Sequence, residues 1–157
     1  MRTRVIFGGD SLMERFNDVK RQVLAKEREQ SALLEDVSKM RVKMRDHLDK
    51  SSSEFIDIKQ GRGGLVDIEF FVQYLVLLHS HQYPQLSEHS DNISLLEQLA
   101  AISVISELEQ RDLVQGYCKL RDFGHHATLK NSPQMIPVAS FASDYPNVTE
   151  IIDKVFK

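Results

Sequence analysis

From Lys59 to Glu69 the chain reads Lys-Gln-Gly-Arg-Gly-Gly-Leu-Val-Asp-Ile-Glu, and the residues stay largely apolar from there to Leu78. Two cations, Lys59 and Arg62, are interleaved with Gly61, Gly63 and Gly64, and two carboxylates, Asp67 and Glu69, follow closely. A glycine-rich loop opening onto a helix presents backbone N–H groups where anions settle. Phosphate contact by 61–64, helped by Lys59 and Arg62, is one reading, and a plain tight turn is the other. The loop is not a P-loop, because the GK[ST] ending is missing, and its glycine spacing is not GxGxxG.

Asp67-Ile68-Glu69 has the D-x-E spacing of a metal-dependent phosphoryl or nucleotidyl transferase. On a strand, residues two apart share a face and could chelate one ion. On a helix, two steps of about 100° set them nearly opposite. The run from Phe70 to Leu78 has helical length, so a shared metal is disfavoured. Two readings stay open: both acids favour the helix N-terminus through its dipole, or one faces a cleft and orients a substrate or a loop arginine. His79 and His81 diverge by the same argument, as do His125 and His126, and no zinc-ligand spacing occurs. Cys118 has no neighbour suggesting a catalytic dyad and reads as a buried thiol. Gly8-Gly9-Asp10-Ser11 resembles a nucleotidyltransferase entrance, but no D-x-D follows it.

The elements around these residues read mostly as helices. Ser11-x-x-Glu14 has the form of a capping box for a helix to about Ala25, with Leu12, Phe16, Val19, Val23 and Leu24 on its apolar side. A second helix runs from Ser31 to Asp49, carrying Leu33, Val37, Met40, Met44 and Leu48, and the two predict an amphipathic hairpin over 10–49. Residues 55–59 read as a short extended segment, and 65–81 as a buried, oily helix. Further helices are expected over 92–102 and from the capping box Ser106-x-x-Glu109 toward Leu129, burying Leu108, Leu113, Tyr117 and Leu120. Gly124 inside the latter signals a kink or close packing. Residues 132–146, with Pro133, Pro137 and Pro146, read as a surface loop, and 149–156 as a short final helix. The fold class is all-α: a bundle of about six helices forming one domain over 1–157, its core helices in 55–131.

Composition bounds the partners. Up to Arg62 there are 14 Lys/Arg against 11 Asp/Glu, and 6 against 12 thereafter, so the basic half is only mildly so. Duplex nucleic acid calls for an unopposed basic face, which this chain lacks. No segment reaches the ~18–20 apolar residues of a membrane span, and residues 1–8 are too short in apolar run for a signal peptide. A single cysteine fits a reducing, cytoplasmic setting.

The run Phe55-Ile56-Asp57-Ile58-Lys59 through Gly63-Gly64-Leu65-Val66-Asp67-Ile68-Glu69-Phe70, then Gln73-Tyr74-Leu75-Val76-Leu77, resembles the C-terminal end of bacterial glutamine synthetase adenylyltransferase. Residues 16–24, the segment Ser90-Asp91-Asn92-Ile93-Ser94-Leu95-Leu96-Glu97, and Leu120-Arg121-Asp122 with His125 agree in order. Gly124, Thr128 and 130–142 fit the family pattern poorly. The resemblance implies a piece of an enzyme that moves AMP from ATP onto a tyrosine of glutamine synthetase, answering to a PII-type signalling protein. Mg²⁺ would be held by aspartates of an upstream nucleotidyltransferase domain, so this piece alone is expected to be inactive. It also implies that Lys59, Arg62 and the backbone of Gly61, Gly63 and Gly64 face that core, with Asp67 or Glu69 steadying the loop. The alternative is a docking module that binds glutamine synthetase or the regulator through the 10–49 hairpin and never meets ATP.

Overall fold

The computed structural model describes residue 3, residues 5–145 and residues 147–156. The rest of the 1–157 span, including Pro146 at the end of the expected loop, lies outside the described residues. In chain order the elements are α1 (Asp10–Leu24), α2 (Gln30–Leu48), β1 (Phe55–Asp57), α3 (Leu65–His79), a 3-10 turn (Pro84–Ser87), α4 (Asn92–Ala101), α5 (Glu107–Leu129), β2 (Met135–Pro137), α6 (Val138–Asp144) and α7 (Val148–Phe156). The molecule is predominantly α, as the periodicities require. No described helix is long and apolar enough to cross a membrane.

The centre is α3. Its side chains are apolar nearly all round, so no face can be left to water. Val66, Ile68, Phe71, Val72, Tyr74, Leu75 and Val76 are buried. Around it stand α2, α4, α5 and α7. The Ser106 hydroxyl and the Glu109 carboxylate cap α5 reciprocally, as their spacing predicts. Leu113, Tyr117 and Leu120 are buried, while Leu108, expected inside, is exposed. Gly124 serves close packing: a Cβ there would lie 3.2 Å from Ile58 Cδ1.

Several expectations are corrected. The first helix starts at Asp10 with Gly9 as its cap, so Ser11 and Glu14 lie inside it and form no box. Its apolar stripe is not buried, since Leu12, Val19 and Val23 are exposed and only Leu24 is buried. The two N-terminal helices are placed by different supports: α1 leans on the 3-10 turn and α2 on α3. On α2 the buried residue is Arg41, whereas Met40 and Leu48 are exposed. The helix is rotated so that its arginines reach a carboxylate on α3.

Residues 132–146 are also more than a surface loop. Met135, Ile136 and Pro137 pair antiparallel with Asp57, Ile56 and Phe55, and α6 follows directly. Ile136, Phe141 and Tyr145 are buried. Pro137 is tolerated because each strand of a two-stranded ribbon has a free edge.

The last helix is fixed to α5 by Lys154 Nζ, which donates to Glu109 Oε1 at 2.7 Å. The Lys154 hydrogen bond, with the Ser106 N–H, holds the Glu109 carboxyl down from 4.5 to about 2. A carboxyl depressed in the folded state adds stability that is complete above 4.5 and is lost as pH falls toward 2. Acid titrations of melting temperature are therefore expected to fall less steeply for Glu109→Gln across that window than for the parent. Parallel curves would show that the pair contributes nothing.

Candidate functional site

The glycine turn is built from the inside. Asp57 Oδ1 accepts the N–H groups of Lys59 (2.8 Å) and Gln60 (3.0 Å), which bends the chain immediately after β1. Gly61 N–H then donates to the Asp57 carbonyl at 2.8 Å, Gly64 N–H to the Gly61 carbonyl at 2.9 Å, and Leu65 N–H to the Ile58 carbonyl at 2.9 Å. Gly63 sits at φ 77°, the left-handed region that glycine enters without strain. Its N–H donates to Asp67 Oδ2 at 2.8 Å.

Asp67 is 3% exposed and is met by two guanidinium groups. Arg41 Nε donates to Oδ1, and Arg45 Nη2 donates to both carboxylate oxygens at 2.9 Å. Arg41 Nη2 continues to the Gln60 carbonyl at 2.6 Å. One carboxylate thus joins α2, the turn and the first turn of α3.

These bonds decide what the turn can offer. The N–H groups of Gly61, Gly63 and Gly64 are all used inside the fold, and all three glycines are buried. The backbone cradle for an anion is therefore not available, and of the two readings of the loop the geometry is that of a tight turn. The two cations part company. Arg62 pairs with Asp153 of α7 and lines a small cavity of about 90 Å³ beside Phe70 and Phe156. Lys59 lies on the opposite side. Glu69, set nearly opposite Asp67 by the helical step, lies with Lys59.

Lys59 and Glu69 open onto a cleft of about 630 Å³. Its other walls are the start of α4, with Asp91 and Asn92, and a stripe of α5 comprising Tyr117, Arg121, His125 and Thr128. The last four recur at helical spacing and so share one side. Asn92 is buried, and its Nδ2 donates to the Tyr117 hydroxyl at 2.9 Å, tying α4 to α5 at the cleft floor. The Arg121 guanidinium carbon lies 5.6 Å from the Tyr117 ring centroid, so the ring supports the charge from below. Asp91 is occupied as the α4 cap: the Ser94 N–H holds its carboxyl below the usual carboxylate range. Lys59, Arg121 and His125 line this cleft together with Glu69 and Asp91, and its size falls within the range of small-molecule sites.

Sequence reasoning named Lys59 and Glu69 and missed Asn92, Tyr117, Arg121 and His125 as members of the same site. The signal was present in the polar stripe at 117, 121, 125 and 128, next to a glycine that keeps the wall thin. Cys118, expected to be buried, is half-buried.

Residues 32–134 match the family described as GlnD PII-uridylyltransferase, and the chain belongs to that family. The chain is also similar to proteins named for another activity. It is 41% identical over 155 residues to the bifunctional glutamine synthetase adenylyltransferase/adenylyl-removing enzyme of Shewanella frigidimarina, covering 99% of this chain and 16% of that protein. The same-named proteins of Shewanella loihica and Mannheimia haemolytica are 39% and 34% identical, over 99% and 96% of this chain. The chain spans 16% of the length of each of these relatives.

Proposed function

We propose that these residues form the helical part of a nucleotidyltransferase, and that the Lys59–Arg121–His125 side of the cleft is the wall against which the nucleotide phosphates are held. The whole protein would move AMP from ATP onto a tyrosine of glutamine synthetase in the cytoplasm, under a PII-type regulator. The atoms that promote transfer would lie in a nucleotidyltransferase domain outside this chain. What supports the reading is the convergence of Lys59, Arg121 and His125 from two distant segments on one cleft.

Transfer of this kind needs positioning and charge neutralisation more than a side-chain nucleophile. Lys59 and Arg121 would offset charge on the phosphates, Arg121 being held from below by Tyr117. The Asn92–Tyr117 hydrogen bond keeps α4 and α5 from spreading when the cleft is loaded. Mg²⁺ would screen the phosphates. Among the described residues no three His, Cys, Asp or Glu side chains gather to hold an ion.

The test is a chimera in which this chain replaces the matching segment of the Shewanella frigidimarina relative, assayed for AMP transfer to glutamine synthetase. Lys59→Ala and Arg121→Ala are each expected to slow transfer on the order of 10²-fold. Arg62→Ala, whose side chain turns to Asp153, is expected to leave the rate within a factor of about three. Folded Lys59 and Arg121 variants with undiminished rates would remove the cleft from the mechanism.

A further inference from the structure

The cleft leaves one large feature unused. On α1, Leu12, Phe16, Val19 and Val23 follow one another at steps of four, three and four, which is the spacing of a helix–helix seam. Leu12 is 55% exposed, Val19 59% and Val23 49%, while Ile6 and Phe7 just ahead of the helix are 89% and 96% exposed. The edge that α1 does bury adjoins this seam: Phe16 is half-buried, Leu24 enters the core, and Lys20 Nζ reaches the His89 carbonyl at 3.4 Å. The helix is thus attached along one edge, with its most regular apolar stripe open. Arg15 flanks the stripe on its open side by the helical step.

We infer that this seam is a docking surface, covered in the longer polypeptide by an apolar strip with one acidic margin that lies outside these 157 residues. The occupant follows from size and tether. A 15-residue helix is about 22 Å long and carries two heptads, short of the three or four that hold a coiled coil together. Two copies pairing through α1 alone would bury well under the roughly 1,200 Å² of a stable association. The relatives are much longer, since this chain spans 16% of their length. A partner tethered in the same polypeptide needs far less area, because its effective concentration is set by the linker. Arg15 at the open margin favours a carboxylate on the covering strip.

Val19→Cys reports on this directly. In this chain alone and in the Shewanella frigidimarina chimera, maleimide alkylation is followed at residue 19 by mass spectrometry, so that Cys118 does not interfere. The expected result is rapid labelling of the chain alone and labelling at least about tenfold slower in the chimera. Equal rates would overturn the inference. So would slow labelling of the chain alone with a dimer in sedimentation, because a second copy would then cover the seam. Val19→Asp provides a second reading. It is expected to leave the melting temperature of the chain unchanged and to lower that of the chimera, and a fall in the chain alone would place Val19 in its own core. Lys59→Ala in the chimera is expected to lose transfer while leaving residue 19 protected, so the cleft and the seam fail separately.

Discussion

Asp67→Ala is expected to lower the unfolding free energy by about 3–5 kcal/mol, the cost of breaking a buried ion pair from one side. The substitution strands Arg41, which is 5% exposed, without a counter-ion, and leaves the Gly63 N–H without its acceptor. Arg45 is affected less, because a third of its side chain reaches solvent. Its Nε is already buried without an acceptor among the described residues, so Asp67 supplies the bonds that its guanidinium makes here. Urea unfolding is the measurement, with the midpoint shifting and the slope unchanged if the native fold persists. Asp67→Asn keeps the shape and an acceptor oxygen and should fall between the two. Pairing Asp67→Leu with Arg41→Met removes both charges and should recover much of the loss. A loss below about 1 kcal/mol for Asp67→Ala would mean that the network behaves as a surface pair.

Gly64→Ala is expected to cost about 3 kcal/mol, the upper part of the range for forcing atoms into a filled site. A Cβ at Gly64 would stand 2.8 Å from the Ile58 carbonyl oxygen and 2.9 Å from that of Gly61. Both oxygens accept hydrogen bonds that close the turn, from Leu65 and Gly64 respectively, so neither can retreat without opening it. Gly63→Ala is a different case. Its φ of 77° costs an L-residue about 1–2 kcal/mol, and its Cβ would overlap the Thr149 hydroxyl. A side chain can rotate away where a carbonyl cannot, so Thr149→Ala should relieve the overlap and leave the backbone strain. Thermal melts of the three variants order these effects. A Gly64→Ala protein within about 0.5 kcal/mol of the parent would show that the turn is looser than its bonds imply.

What could be read in advance divides along physical lines. The core helix was legible because its apolar residues leave no polar face, and α5 because the Ser106–Glu109 cap is a local, reciprocal pair. The stripe of α1 was legible as a pattern but not in its destination, since periodicity shows that a face is apolar and not what covers it. The ribbon and α6 were hidden because three prolines signal a loop locally, while Met135–Pro137 is stabilised by Phe55–Asp57 far away in the chain. At the site, Lys59 and Glu69 could be named from the loop and helix phase. The partner of Asp67 was sought in the nearest arginine, Arg62, because sequence displays neighbours. The true partners, Arg41 and Arg45, lie 26 and 22 residues away. A lone carboxylate in an oily helix does announce that some cation must meet it, but only the packing angle of α2 decides which.

The small ribbon makes α3, α4 and α5 a closed circuit, joined where Ile56 faces Ile136. A circuit of roughly eighty residues can take up an extra residue in its connecting loops at little entropic cost, because closure depends only on the logarithm of length. The seam where it closes has no such tolerance. A slip of one position there would turn Ile136, now 5% exposed, outward and present Met135 or Pro137 to the interior. The register of the closure thus rests on the facing of one isoleucine pair.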